Sequence, residues 1–204
     1  MVAIPCMEMI HTDFAQCMWA AKKVDETYLY VSKSSLVYES RNMIARAAMD
    51  RDFDFIVWFD SDMTFEPDVI ERMAEHYRNG YDYVCGLFFS RRHPIIPVIY
   101  ESISCEEDDR GVPKVDTVNR KDYPQELFEV AGSGFGCVMT SVRMLRQICD
   151  IYGPPFYPRF GFGEDLTFCW LAKQCGIKMY CDPTIKLGHI GSALCNEEAY
   201  LKYK

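Results

Sequence analysis

Five consecutive apolar residues, Phe55-Ile56-Val57-Trp58-Phe59, run directly into Asp60-Ser61-Asp62. A run this short, β-branched and aromatic reads as a strand buried on both faces, the kind that occupies the middle of a parallel sheet. Ligands of open α/β sheets bind just outside the carboxyl ends of the strands. Asp60 and Asp62 are therefore expected on the rim where such a fold keeps its chemistry. Two carboxylates one residue apart repel each other, and a divalent cation offsets that cost. A plain Asp-Ser-Asp turn fits these three residues equally well, because Asp and Ser are ordinary turn formers.

The rest of the chain decides what surrounds that stretch. Val2-Ala3-Ile4 predicts a short first strand ended by Pro5, and Thr12 to Lys23 a helix capped by Thr12 or Asp13. Tyr28 to Val31 predicts a second strand. Met43, Ile44, Ala47 and Ala48 form the apolar stripe of a helix from Glu39 or Ser40 to Asp50. This β-α-β-α-β order predicts a mostly parallel sheet with right-handed crossovers. A helix follows from Asp68 to Arg78, with Thr64 able to cap it and Pro67 near its first position. Tyr81 to Phe89 reads as another strand, and Pro97 to Ser102 can extend the sheet. The charged stretch from Ser104 to Asp122, with Glu106-Glu107-Asp108-Asp109-Arg110-Gly111 inside it, reads as a mobile or hairpin excursion. Leu127 to Val130 is expected as a strand leading into the loop Ala131-Gly132-Ser133-Gly134-Phe135-Gly136, whose alternating glycines permit close backbone approach. Helices over 141–149 and from Gly163 to Gln174 or Cys175, a last strand at 178–181 and a short helix over 197–203 complete the chain. Neither a repeat nor a linker interrupts it, so residues 1–204 are expected to form one domain.

Composition narrows the partners. A formal net charge of -8 and a pI near 5.0 disfavour nonspecific attachment to nucleic acid or anionic membrane. The first residues lack the basic and apolar regions of a signal peptide, and no window approaches 18 apolar residues, so a cytoplasmic protein without a membrane span is expected. Ten cysteines include no C-x-x-C pair, which points to buried reduced thiols rather than a metal knuckle.

Taken in order, several features resemble the GT-A glycosyltransferases, in particular family 2-like enzymes and the small versions common in phage. These are Ile4-Pro5 after the first strand, Ser40-Arg41-Asn42 with Ala45 opening a helix, and Asp60-Ser61-Asp62 as a D-x-D motif. Gly132-Ser133-Gly134-Phe135-Gly136, Gly163-Glu164-Asp165 at a helix start, and a late His189 between glycines follow. The resemblance spans nearly the whole chain and implies a single Rossmann-like GT-A domain. It also implies a metal-dependent transfer of sugar from a nucleotide-sugar to a hydroxyl acceptor, with inversion.

By that resemblance Asp62 binds a metal, Asp60 contacts metal or ribose, and His189 supplies a third ligand. Mn²⁺ or Mg²⁺ would suit such donors. Pro5, Arg41, Ser61 and Gly134 fall at positions near the nucleotide. Asp165 matches the base, with Glu164 beside it contacting acceptor or donor sugar. A helix N-terminus favours a charged carboxylate, so Asp165 is expected ionised at neutral pH. Arg91 and Arg92 face phosphate or acceptor, or else form surface salt bridges. Phe168 and Trp170 read as core, whereas Tyr157, Phe160 and Phe162 suit either stacking or packing. The acidic residue that reads uracil in family 2 is absent after the second strand, where Ser32-Lys33-Ser34 stands, so both UDP- and GDP-sugars stay open as donors. The acceptor is open among a glycan, a protein, a small molecule and a modified DNA base. Two other readings remain: a sugar-1-phosphate nucleotidyltransferase, and an inactive nucleotide-sugar-binding protein. The first normally carries a basic Gly-rich loop after strand one, unlike Cys6-Met7-Glu8-Met9.

Overall fold

The computed structural model describes residues 1–107, 113–191 and 194–203. The charged tip from Asp108 to Gly111 lies outside them. The core is a seven-stranded sheet in the order β2-β1-β3-β10-β5-β11-β8. Its strands are β1 (Val2–Cys6), β2 (Leu29–Lys33), β3 (Phe55–Phe59), β5 (Tyr83–Leu87), β8 (Phe128–Val130), β10 (Cys137–Ser141) and β11 (Met179–Lys186). Pairings β1–β2, β1–β3 and β5–β11 are parallel, so β2, β1, β3, β5 and β11 share one direction. The expected mostly parallel sheet is present, with β10 and β8 running against it. β3 is buried from Ile56 to Phe59, as its continuous apolar run requires.

Two small sheets grow from the carboxyl-end rim. The hairpin of β6 (Ile99–Glu107) and β7 (Pro113–Asn119) pairs with β9 (Gly132–Ser133). The charged excursion is thus a hairpin where it is described, and the segment at Pro97–Ser102 starts a separate sheet instead of extending the main one. The other sheet joins β4 (Met63–Thr64), β12 (Gly188–Ile190) and β13 (Leu194–Cys195).

Helices α1 (Thr12–Ala20), α2 (Val37–Asp50), α3 (Val69–Arg78), α4 (Val142–Tyr152), α5 (Glu164–Gln174) and α6 (Glu197–Tyr203) flank these sheets. Several ends differ from expectation: α2 starts at Val37 and α4 runs on to Tyr152. α1 is capped by the side chain of His11, not by Thr12 or Asp13, and it stops at Ala20. Ala21 turns extended there, and Lys23 Nζ donates to the carbonyls of Met18 and Ala21 at 3.2 and 2.8 Å. α3 begins after Asp68, and Thr64 belongs to β4.

Two apolar layers enclose the sheet. On one side Trp58, Phe135, Phe156 and Phe168 form an aromatic cluster, with Phe156 and Phe168 stacked at 4.7 Å. On the other, Phe14, Phe59 and Phe65 pack together under α1 and α3. Among the described side chains nine cysteines are free; Cys85, Cys137, Cys169 and Cys181 are buried and five are half-buried. No helix among the described residues is long and apolar enough to cross a membrane.

Candidate active site

β3 delivers Asp60 and Asp62 to the rim, and the turn they form is held from three sides. Asp60 N donates to Gly136 O at 3.1 Å, His11 N donates to Ser61 O at 3.1 Å, and Ile190 N donates to Asp62 O at 2.8 Å. The last bond belongs to the small sheet in which His189 pairs with Met63. That register brings His189 Nε2 to 3.7 Å from Asp62 Oδ2 although 127 positions separate them in the numbering. His189 Nδ1 lies 2.9 Å from Phe89 O. A carbonyl can only accept, so Nδ1 carries a ring hydrogen and Nε2 is the ring atom left facing the carboxylate. Arg91 Nη1 also donates to Asp62 Oδ2. Burial pushes the Asp62 carboxyl up, but His189 and Arg91 outweigh it, and the group is held below its ordinary value.

Asp60 behaves differently. Its Oδ1 accepts from Arg41 Nη2 at 2.8 Å, and Arg41, on α2, is 2% exposed. The guanidinium lies 4.9 Å above the Phe135 ring and places Nε 3.7 Å from Glu164 Oε1. Arg41 therefore bridges the D-x-D turn to the start of α5 from inside the protein. Its Nε and Nη1 are buried with no hydrogen-bond partner. Burial, with the neighbouring Asp62 charge, raises the Asp60 carboxyl despite Arg41.

Asp165 faces the same space from the first turn of α5. The aromatic cluster fixes that helix against β3, because Phe168 on α5 packs on Phe156 and Phe135. Phe156 N in turn donates to Asn42 Oδ1 on α2 at 3.1 Å. Asp165 Oδ1 accepts from Leu166 N at 2.7 Å. The helix start does not dominate its ionisation as expected. Burial and the adjacent Glu164 charge push its carboxyl up to about 6, against the pull of the Leu166 amide and Arg41. Tyr100, on β6, is pushed up by burial and then by the Asp165 charge beside it.

Asp60, Gly134, Phe135, Asp165 and His189 line one open cleft of about 320 Å³, together with Phe88, Ser90, Arg91, Arg92 and Val98. Gly134 is there for space. A Cβ would stand 2.9 Å from Val98 Cγ1 and 3.0 Å from Phe88 Cζ, with Asp165 Oδ2 only 3.6 Å away. Asp62 adjoins the cleft through His189 and Arg91, and Glu164 through Arg41. Ser61 contributes its carbonyl to the turn. Pro5 is buried within β1, opposite Ser32, and does not line the cleft. Phe168 and Phe162 are core, Trp170 is half-buried against Phe160, and Tyr157 and Phe160 are exposed. Sequence reasoning missed the Phe89 carbonyl that sets the His189 tautomer and the Phe135 ring beneath Arg41. Only the position of Phe135 between two glycines hinted at its part.

Among the described residues no group of three or more His, Cys, Asp and Glu side chains is arranged to hold a metal. Asp62 and His189 nevertheless fit as a pair of donors, one anionic oxygen and one imidazole nitrogen whose ring is oriented by Phe89 O. Asp60 fits less well, since its Oδ1 is taken by Arg41.

Comparison with known proteins identifies a sequence family and a fold. The sequence model of "Glycosyl transferase family 2" matches residues 21–148, more than half of the chain. No curated protein matches the chain in sequence. Among solved structures, A197 from STIV is similar at 18% identity with a TM-score of 0.66, covering 93% of this chain and 84% of that one. GalNAc-T7, solved with UDP, GalNAc and Mn²⁺, is similar at 12% identity and TM-score 0.62, covering 93% of this chain and 43% of that one. S. aureus TarS, residues 1–349, is similar at 13% identity and TM-score 0.53, covering 90% and 60%. At such identities these structures speak for the fold, a GT-A arrangement, while the family match rests on the sequence itself. The chain belongs to glycosyl transferase family 2.

Proposed function

We propose that this glycosyltransferase moves one sugar from a nucleoside-diphosphate sugar to a hydroxyl acceptor with inversion, and that it does so with a divalent cation. The observation that carries the reading is the convergence at one cleft of two carboxylates in different surroundings, Asp165 in its lining and Asp62 adjoining it through His189 and Arg91. Asp62, held low beside His189, suits cation and diphosphate binding, whereas Asp165, raised to about 6, suits proton transfer. Asp62 and His189 would hold the cation, and Asp60, tied to Arg41, would face the ribose or the cation from the side. Such an ion supplies Lewis-acid stabilisation of the departing diphosphate. Mn²⁺ or Mg²⁺ suits oxygen donors, and the imidazole tilts the choice toward Mn²⁺. GalNAc-T7, a fold relative, was solved with UDP and Mn²⁺, which is compatible with that choice.

Asp165 takes the proton of the attacking hydroxyl. A base of pKa about 6 is mostly ionised at pH 7 and still basic enough to accept a proton, close to the optimum for its task. Glu164, balanced by Arg41, is left to bind a sugar hydroxyl. The donor is a UDP- or GDP-sugar, and the acceptor a hydroxyl of a glycan, a protein, a small molecule or a modified DNA base. The test is donor hydrolysis measured across a panel of UDP- and GDP-sugars with Mn²⁺ and with Mg²⁺. Turnover of one donor that stops on chelation supports the reading. Nucleotide binding without turnover of any donor contradicts it.

A further inference from the structure

Asp62 has a counter-ion before any ligand arrives. Arg91 Nη1 donates to Oδ2, the same oxygen that lies 3.7 Å from His189 Nε2. His189 gives its Nδ1 hydrogen to Phe89 O, which leaves Nε2 as the ring atom that faces that oxygen. The two would-be donors of the cation therefore face each other, and a guanidinium supplies the positive charge between the walls. Asp60 and Arg41 already form a second, internal pair, so each carboxylate of the D-x-D turn faces a guanidinium without an added ion.

The two pairs differ in what they can do. Arg41 is buried and cannot leave. The Arg91 side chain is 51% exposed and stands on the turn after Phe89, which is closed on itself by Ser90 N to Ile96 O at 2.9 Å and Ile96 N to Ser90 Oγ at 3.2 Å. Its side chain can swing while that turn stays in place. A divalent cation beside Asp62 and an adjacent guanidinium repel each other, so each weakens the other's hold on the shared carboxylate oxygen. The group that arrives with the cation in a nucleotide-sugar is a diphosphate. A planar guanidinium pairs with phosphate oxygens at least as well as with a carboxylate.

We propose that Arg91 is the resident counter-ion of Asp62, that it competes with the divalent cation for that carboxylate, and that it passes to the donor's diphosphate when cation and donor bind together. This rests on the metal reading given under Proposed function. Arg91 then acts as a positioning residue whose effect changes sign with the ligand present.

The experiment measures Mn²⁺ binding to the full chain by electron paramagnetic resonance of the free ion. It compares wild type, Arg91→Ala and Arg91→Lys, with Asp62→Asn as the control that should lose binding. Each is titrated alone and again with UDP or GDP present. Expected is about three- to tenfold tighter Mn²⁺ binding by Arg91→Ala without nucleotide, and about three- to tenfold weaker binding of the Mn²⁺–nucleoside diphosphate complex. Arg91→Lys keeps a charge but loses the planar fork, and should fall between. Equal or weaker binding of Mn²⁺ alone by Arg91→Ala, with wild type still binding the ion, overturns the competition and leaves the function standing. Absence of Mn²⁺ binding by every variant, with either nucleotide present, overturns the metal reading and this inference together. An exposed ion pair contributes little to stability, so Arg91→Ala should melt as wild type does and the comparison stays valid.

Discussion

At the scale of single residues, Asp165 and Arg41 carry the proposed chemistry, and the sequence singles out both while leaving their surroundings hidden. The Glu-Asp pair at a helix start was legible, but helix position alone argued for a low carboxyl. Burial beside Glu164 instead raises Asp165 to about 6. Such a group must be ionised to accept a proton, so the rate should fall about tenfold per unit as pH drops below about 6. The sign for stability is opposite. An acid raised in the folded state, from 3.8 to about 6, stabilises the fold only while protonated, and that contribution is lost as pH rises through about 6. Asp165→Asn should therefore melt above wild type at pH 7 by more than at pH 4, which thermal melts at the two pH values check. Arg41 was readable as a cation at a helix start, but nothing local showed that it lies inside, between Asp60 and Glu164. Removing one partner of a buried ion pair strands the others, so Arg41→Ala should destabilise by about 3 kcal/mol in chemical denaturation.

At the scale of elements, β3 was readable because its apolar run ends in a motif. Long periodic helices such as α2 and α5 were readable to within a few residues. β10 was not, since Cys137 to Ser141 follows a glycine run without turn punctuation and feeds directly into α4. β4 and β12 were also invisible, because strands of two and three residues carry no periodicity. They are what sets His189 beside Asp62, so its position depends on tertiary register that no local pattern encodes. The glycine run was legible as close approach, but its glycines meet side chains. A Cβ on Gly132 would stand 2.7 Å from Cys169 Cβ on α5, and one on Gly134 would crowd Val98 and Phe88. Gly134→Ala should cost about 1–3 kcal/mol, measured by denaturant unfolding, and lower turnover because the cleft wall must shift. Stability and rate unchanged from wild type would refute this packing role.

At the scale of the whole molecule, the D-x-D turn, α2, α5 and the small sheet meet at one rim of the sheet, as the order of motifs along the chain led one to expect. A ligand that bridges them should hold the fold together. With cation and the right nucleotide-sugar at a hundred times its dissociation constant, stabilisation of about 2.7 kcal/mol is expected, or about 5–10 °C for a chain of this size. Asp62→Asn should lose that shift, since it removes the carboxylate beside His189. The central claim is that binding of the donor and activation of the acceptor are divided between Asp62 and Asp165. One measurement tests it most directly: nucleotide-sugar binding and turnover compared between wild type and Asp165→Asn under the same conditions. The account predicts donor binding within about twofold of wild type and turnover lower by at least about a hundredfold, the usual contribution of a general base. Turnover by Asp165→Asn at the wild-type rate would contradict it.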